Sequence, residues 1–314
     1  MKLKWSPARL ALVGMVVGLI CLELGLRAYG FGKPLLYEAT SYGYRVKPSQ
    51  HLMRFGNELS YNRQGMRSPE ITAQPAPGVL RVLCIGDSIT FGGVQTPQDQ
   101  TYPAQIEKVL SQLGRKAEAL NASAGGWALG NEWGWLQANG TFGSNVVVLE
   151  VGLNDLFQPP STSLVVDGHP SFPSRNPPLA LQEALTRYVM PRLGLGDATD
   201  PGARPGASPR DLLKTNLQVL ARMVAFARER GAVVYVLSVE EPKFSDGSIS
   251  DMSAAYSELS RTVQNLNVRF IRSSSVLGGS VDERAVFRDG VHPTVKGNEI
   301  IANMVANIIS KDLM

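Results

Sequence analysis

Apolar residues recur along this chain in two alternating rhythms. Short, near-continuous apolar runs occupy residues 79–86 ("VLRVLCIG"), 116–123 ("KAEALNAS"), 145–152 ("NVVVLEVG"), 232–239 ("AVVYVLSV") and 268–277 ("VRFIRSSSVL"). Stretches with apolar positions three and four apart fill residues 101–114, 128–140, 211–231, 253–267 and 294–313. The first rhythm suits strands buried on both faces, and the second suits amphipathic helices. Their alternation predicts a parallel sheet covered by helices on both faces, spanning residues 79–314.

Two segments break the pattern. Residues 32–78 are rich in Tyr, Arg, Pro and Gly; "YNRQGMRSPE" reads as a strand, a turn at Gln64–Gly65 and an exit, and Gln74–Gly78 reads as a linker. We take 32–78 as a lead-in that packs on the main domain. Residues 157–210 hold about half of the chain's 20 prolines and one short helical pattern, "LALQEALTRYVM". A connection this long inside a domain is a functional lid or a disordered loop.

Residues 1–31 form a separate unit. Lys2, Lys4 and Arg9 precede an apolar run from Leu10 to Leu22, which resumes after Glu23 as far as Leu26. At about 17 residues this is at the short end for a membrane span. A signal-peptide core is the rival reading, but no small-x-small cleavage site follows, and Cys21 is preceded by Leu19 and Ile20, not by a small residue. The pattern favours an uncleaved single-pass anchor in the cytoplasmic membrane. The basic leader then stays inside, and the remainder faces the periplasm or the exterior.

Composition narrows the chemistry. A hydrophobic content of 44% with 18% charged residues suits a folded protein. The net charge of +4 reflects 31 basic against 27 acidic residues, and no Lys/Arg run is dense enough to predict a nucleic-acid partner. The two cysteines, Cys21 and Cys84, are not expected to pair. There are three histidines, His51, His169 and His292, and no Cys/His spacing suits zinc. No metal and no cofactor is therefore expected.

Open parallel sheets place their chemistry at the carboxyl ends of the strands. Those ends carry Gly86-Asp87-Ser88, then Gly125-Gly126, then Asn154-Asp155, then Glu240-Glu241, and finally Asp289 and His292 in "DGVHPT". A serine hydroxyl is a weak nucleophile and needs a base within hydrogen-bond reach. His292 can be that base, oriented by Asp289 three residues earlier. The backbone N–H groups of Ser88 and Gly126 and the amide of Asn154 can serve a tetrahedral oxyanion. Each motif alone has a bland reading as a turn or a helix cap. Their arrival in order on successive strand ends favours chemistry.

"GDSIT", "NASAGGW", "GLND" and "DGVHPT" resemble, in order and rough spacing, the four motif blocks of the SGNH (GDSL-like) hydrolases. The resemblance covers about residues 79 to 314. It implies a flavodoxin-like three-layer α/β/α fold with a five-stranded parallel sheet, and a metal-free serine esterase or acyltransferase. By motif, Ser88 is the nucleophile, Gly126 and Asn154 complete the oxyanion hole, and Asp289 and His292 finish the triad. The second block leaves Gly125 as an alternative, although counting from Asn121 favours Gly126. The segment "NRQGMRS" before the first block resembles a membrane-anchored subset linked to envelope or exopolysaccharide acyl chemistry. That implies an acylated carbohydrate or another ester as substrate.

Further candidates carry weaker signals. Trp127 adjoins Gly126 and is expected to contact substrate, with Arg67 and Glu240 also within reach of the rim; Trp133 reads as core. His169, in "VDGHP", mimics the last motif but follows no strand and reads as a loop histidine. The rival functions are a lipase or thioesterase acting on lipid acyl chains, and a catalytically idle binding module of an envelope complex.

Overall fold

The computed structural model describes residues 6–195, 207–239, 249–277 and 282–313. A helix, α1 (Pro7–Ala28), leads into two antiparallel hairpins, β1 (Tyr37–Thr40) with β2 (Gly43–Val46), and β3 (Gln50–Arg54) with β4 (Asn57–Tyr61). The main sheet follows: β5 (Leu80–Gly86), β6 (Ala117–Ser123), β7 (Val146–Glu150), β8 (Val233–Ser238) and β9 (Arg269–Arg272). Its order is β6-β5-β7-β8-β9, and every neighbouring pair is parallel. The chain runs outward from β5 to β6, then crosses back to lay β7 on the other side of β5. That reversal is the switch point of a flavodoxin-like sheet, where such folds bind ligands.

Helices α2 (Ser88–Phe91), α3 (Tyr102–Gln112), α4 (Leu129–Asn139), α5 (Ala180–Ala184), α6 (Met190–Arg192), α7 (Pro209–Glu229), α8 (Ile249–Asn265), α9 (Ser274–Leu277), α10 (Glu283–Val286) and α11 (Val295–Asp312) are the remaining described α-helices. Strand side chains alternate between faces. Val82 and Cys84 meet Ile106 and Leu110 of α3 and Ile301 and Val305 of α11. Leu83 and Ile85 join the opposite cluster with Leu136 of α4, Leu220 of α7 and Leu259 of α8. All four of these β5 side chains are fully buried, which is why the run lacks a polar face. The three-layer α/β/α architecture is thus the one the periodicity predicts.

Three local differences have physical causes. The fifth strand stops at Arg272, and Ser274–Leu277 is helical instead. Serine competes for its own backbone: Ser275 Oγ donates to the Arg272 carbonyl at 2.7 Å. The lead-in contains two hairpins where one strand was expected. Its Gln64–Gly65 turn is held by Asn62 Oδ1, which accepts from the N–H groups of Gln64 and Met66 at 3.0 Å each. The described part of the insertion, up to residue 195, is packed on the lead-in. The Tyr37 N–H donates to the Pro173 carbonyl at 2.9 Å, and Val165 enters the core. Residues 196–206 lie outside the described residues.

α1 spans 22 residues, longer than its apolar run, with a mean hydropathy of 2.0 and no burial in its apolar window. At 1.5 Å per residue it is about 33 Å long, enough to cross a hydrocarbon core. Its Glu23 is used by the protein. The carboxylate accepts from Arg27 Nε at 2.7 Å and from the N–H groups of Ala180 and Leu181 at 2.9 Å each. Just beyond, Arg54 and Glu183 form a buried ion pair, at 1% and 5% exposure. Arg54 also donates to the Gly30 carbonyl at 2.7 Å, and Glu183 accepts from the Gly32 N–H at 2.7 Å. This pair fastens the exit of α1, the β3–β4 hairpin and α5 to one another. Arg54→Met leaves the buried Glu183 carboxylate with Arg187, 3.6 Å away, as its remaining ionic partner and is expected to cost about 3 kcal/mol, read as a lowered urea midpoint of the full chain.

Candidate active site

The site begins where β5 runs out of room. A Cβ on Gly86 would lie 2.2 Å from Thr90 Oγ1 and 3.0 Å from Glu150, so glycine alone fits there. The next residue, Asp87, caps α2: its Oδ1 accepts from the Ile89 N–H at 2.8 Å. Ser88 is then the first residue of α2, half-buried at the lip of the sheet, with Ile89, Thr90 and Phe91 buried behind it. A strand that ends in Gly-Asp-Ser therefore presents its serine because the capped turn sends the following side chains inward.

Across the sheet, the Phe287↔Pro293 bridge closes a tight turn around Asp289 and His292, with the Arg288 N–H donating to the His292 carbonyl at 3.0 Å. Asp289 Oδ1 accepts from the N–H groups of Val291 and His292 at 2.9 and 2.7 Å. Both carboxylate oxygens lie 3.0 Å from His292 Nδ1. His292 Nε2 lies 3.0 Å from Ser88 Oγ. Burial pushes the Asp289 carboxyl up, but the two N–H groups and the imidazole outweigh it and hold it below its ordinary value. An ionised carboxylate only accepts, so Nδ1 carries the proton and Nε2 is left to accept from the hydroxyl. Hydroxyl, imidazole and carboxylate thus stand in the series that nucleophilic catalysis requires.

Ser88, Gly126 and Asn154 follow the carboxyl ends of β5, β6 and β7, which are adjacent in the sheet. Strand spacing of about 4.8 Å brings these exits to one rim. Gly126 is exposed with φ +78°, a conformation that favours glycine. Gly125 is half-buried, and its carbonyl accepts from the Tyr44 hydroxyl at 2.6 Å. Asn154 is exposed at the head of a 3-10 turn, Asn154–Phe157.

Two expected substrate contacts are corrected. Trp127 is 1% exposed, and its Nε1 donates to the Tyr44 carbonyl at 2.9 Å, so its ring packs in the core. Arg67 is 3% exposed and donates to the carbonyls of Phe91, Gly93 and Thr96 at 2.9, 2.7 and 2.6 Å. It organises the glycine-rich loop behind α2 and does not line the rim. Glu240 lies outside the described residues. Trp133 packs edge-on against Phe226, and His169 Nδ1 accepts from the Ser171 N–H at 3.1 Å. His51 lies 3.0 Å from Glu58 on an exposed hairpin.

Sequence reasoning missed two groups. One is a pair of aromatic side chains beside Gly126: a Cβ there would lie 3.0 Å from the Tyr44 hydroxyl and 3.6 Å from the Phe172 ring. Ser161 Oγ also donates to the Gly126 carbonyl at 2.8 Å. These residues come from the lead-in and the insertion, where no periodic signal marks them. The other is a carboxylate cluster beneath Ser88. Oxygens of Asp87, Glu150 and Asp155 lie within 4.8 Å of one another, with Glu132 nearby. Burial first, then repulsion from Asp87 and Asp155, pushes Glu132 and Glu150 well above the ordinary carboxyl value. Glu150 also hydrogen-bonds Asp87, the residue that caps α2. A glutamate inside the apolar run "NVVVLEVG" was the available signal.

A hydroxyl, an imidazole and a carboxylate in hydrogen-bonded series on the rim of a parallel sheet are the groups that a serine hydrolase uses. The chain belongs to the GDSL-like lipase/acylhydrolase family, whose match spans residues 84–300, from the strand before Ser88 through His292 into the last helix. It is accordingly an enzyme of the esterase/acylhydrolase class. Among solved structures it is similar to a lipase/acylhydrolase from Enterococcus faecalis, at 12% identity and a TM-score of 0.50, covering 74% of this chain and 96% of the other. It is also similar to the psychrotrophic esterase EstA from Pseudoalteromonas sp., at 16% identity and a TM-score of 0.46, covering 74% and 98%. A GDSL-like lipase from Bacteroides thetaiotaomicron matches at 15% identity and a TM-score of 0.47, covering 77% and 93%. No curated protein matches the chain.

The acid cluster sets a pH dependence. Glu132 and Glu150 keep protons in the folded state that the unfolded chain releases above about pH 4.3. Folded protein then binds more protons than unfolded, so this contribution lowers stability as pH rises through the folded-state values. Neither oxygen of Glu132 has a hydrogen-bond partner among the described residues, so Glu132→Gln removes the titration with little change in bonding. The Tm of the variant relative to wild type is expected to rise between pH 5 and pH 8, by on the order of 2–4 °C, in a thermal melt series.

Proposed function

We propose that the protein is a membrane-tethered serine esterase or O-acyltransferase that acts through an acyl-enzyme on Ser88. Its substrates are small acyl groups, acetyl foremost, esterified to an envelope or extracellular polysaccharide. The observation that carries the reading is the unbroken line from Ser88 Oγ to His292 Nε2 at 3.0 Å and from His292 Nδ1 to Asp289 at 3.0 Å.

In the proposed reaction Ser88 Oγ attacks the ester carbonyl as its proton passes to His292 Nε2. Asp289 balances the imidazolium. The N–H groups of Ser88 and Gly126 and the Asn154 amide receive the oxyanion. Collapse expels the alcohol, which takes the proton from His292. Water or an acceptor hydroxyl, deprotonated by the same imidazole, then releases the acyl group from Ser88. Preference for a small acyl group is supported by the Tyr44 hydroxyl and the Phe172 ring, which narrow the space beside Gly126. The tether is α1, with Arg9 and the basic leader on the cytoplasmic side and the remainder exported. This placement, and the resemblance at "NRQGMRS", support an envelope glycan over a soluble ester.

Purified protein is expected to take up a fluorophosphonate probe, and Ser88→Ala and His292→Ala are each expected to abolish labelling and to lower kcat by at least about 10⁴-fold. Labelling that survives Ser88→Ala sinks the assignment. Release of acetate from an O-acetylated polysaccharide, against a series of p-nitrophenyl esters, tests the substrate. Turnover that rises with acyl length supports a lipase or thioesterase instead. Asn154→Ala is expected to lower kcat toward p-nitrophenyl acetate by about 10²–10³-fold with KM little changed, the signature of a donor used in the transition state.

A further inference from the structure

Large apolar side chains outside α1 are unevenly exposed. Leu179, Leu185, Val189, Leu193 and Leu195 stand 51%, 48%, 44%, 66% and 56% exposed within one short helical stretch of the insertion. Water-facing apolar surface this dense marks an interaction site. The same stretch is fastened to the end of α1. Glu23 caps α5 through the N–H groups of Ala180 and Leu181, and Arg27 Nη2 donates to the Pro178 carbonyl at 2.9 Å. The ring of Tyr188 packs edge-on against Phe31, three residues past α1, with centroids 5.4 Å apart.

We propose that residues 179–195 form a lipid-docking face that lies in the surface of the bilayer entered by α1. The inference rests on the reading of α1 as a membrane helix and goes beyond the proposed chemistry. The joint fixes the occupant: a face bolted to the last turns of a membrane-spanning helix is carried to the headgroup layer with it. Its charge fits an anionic phospholipid surface. The one acidic residue of 179–195 is Glu183, buried in its pair with Arg54, whereas Arg192 and the adjoining Lys33 are exposed. Apolar side chains then enter the acyl boundary to a depth of about 5–10 Å while the cations meet phosphates.

The test uses the full chain in vesicles of phosphatidylglycerol and phosphatidylcholine that contain doxyl-labelled lipid. Cys84 is buried with its thiol pushed up by burial, so a Cys21→Ser background leaves single engineered sites for a polarity-sensitive fluorophore. Probes at Met15→Cys, Val189→Cys and Leu193→Cys are expected to be quenched at least about twofold more than one at Leu113→Cys, an exposed site at the end of α3. Adding Leu185→Glu and Leu195→Glu is expected to relieve quenching at position 189 while p-nitrophenyl acetate turnover is unchanged, which shows the fold is intact. Quenching at position 15 without quenching at 189 and 193 overturns the docking face, leaves the anchor standing, and points to a protein occupant. No quenching at 15 overturns both. Equal quenching after phosphatidylglycerol is replaced by phosphatidylcholine overturns the anionic preference.

Discussion

The structure turns on how closely β5 approaches β7 at its carboxyl end. Gly86 has no side chain, and the space a Cβ would take is already held by Thr90 and Glu150. Because that corner is full, the chain cannot continue as a strand and must turn at once. Asp87 caps the new helix, and Ser88 is left facing out. The Thr90 hydroxyl, 2.8 Å from that of Tyr102, ties the same turn to α3. A larger residue at 86 would move the serine by the width of a methyl group, and a hydrogen bond of 3.0 Å to His292 does not tolerate such a shift.

The remaining members of the site are far away in sequence but near in topology. His292 follows Ser88 by 204 positions. The sheet makes this distance irrelevant: each parallel strand delivers its exit to the same edge, and the crossover between β6 and β7 puts β5 in the middle of the catalytic rim. This is why the chemistry was legible in the sequence. Five apolar runs located the strands, and Ser88, Gly126 and Asn154 lie just past three of them. Ser88 was read from the end of β5, whereas Asp289 and His292, which lie beyond α9 and α10, were read from the "DGVHPT" motif.

Trp127 and Arg67 were misplaced for the complementary reason. Proximity in sequence to Gly126 said nothing about which way the indole turned, and it turns inward to donate to the Tyr44 carbonyl. Tyr44 belongs to a hairpin whose existence no periodic pattern announced, so the partner that buries Trp127 was invisible. Arg67 lies in a polar lead-in, where a guanidinium is expected to face water. It is buried because the loop at 91–96 turns its carbonyls inward and needs donors. The proline-rich insertion was equally silent: residues 157–195 are held by contacts with α1 and the lead-in, which are tertiary.

Those contacts bear on how the proposed acyl-enzyme is resolved. The insertion reaches the cleft at one end, through Ser161 and Phe172 at Gly126, and α1 at the other, through Ala180 and Leu181. It flanks the glycine, yet leaves the opposite side of the triad open, with the Asp289 side chain 51% exposed and that of His292 30% exposed. Transfer to an acceptor requires that water be kept from the acyl group until the acceptor arrives. A triad wetted on its histidine side does not exclude water by itself. Under the proposed function, transfer therefore requires the acceptor glycan itself to cover the imidazole, so that the group that displaces water is also the one that is acylated.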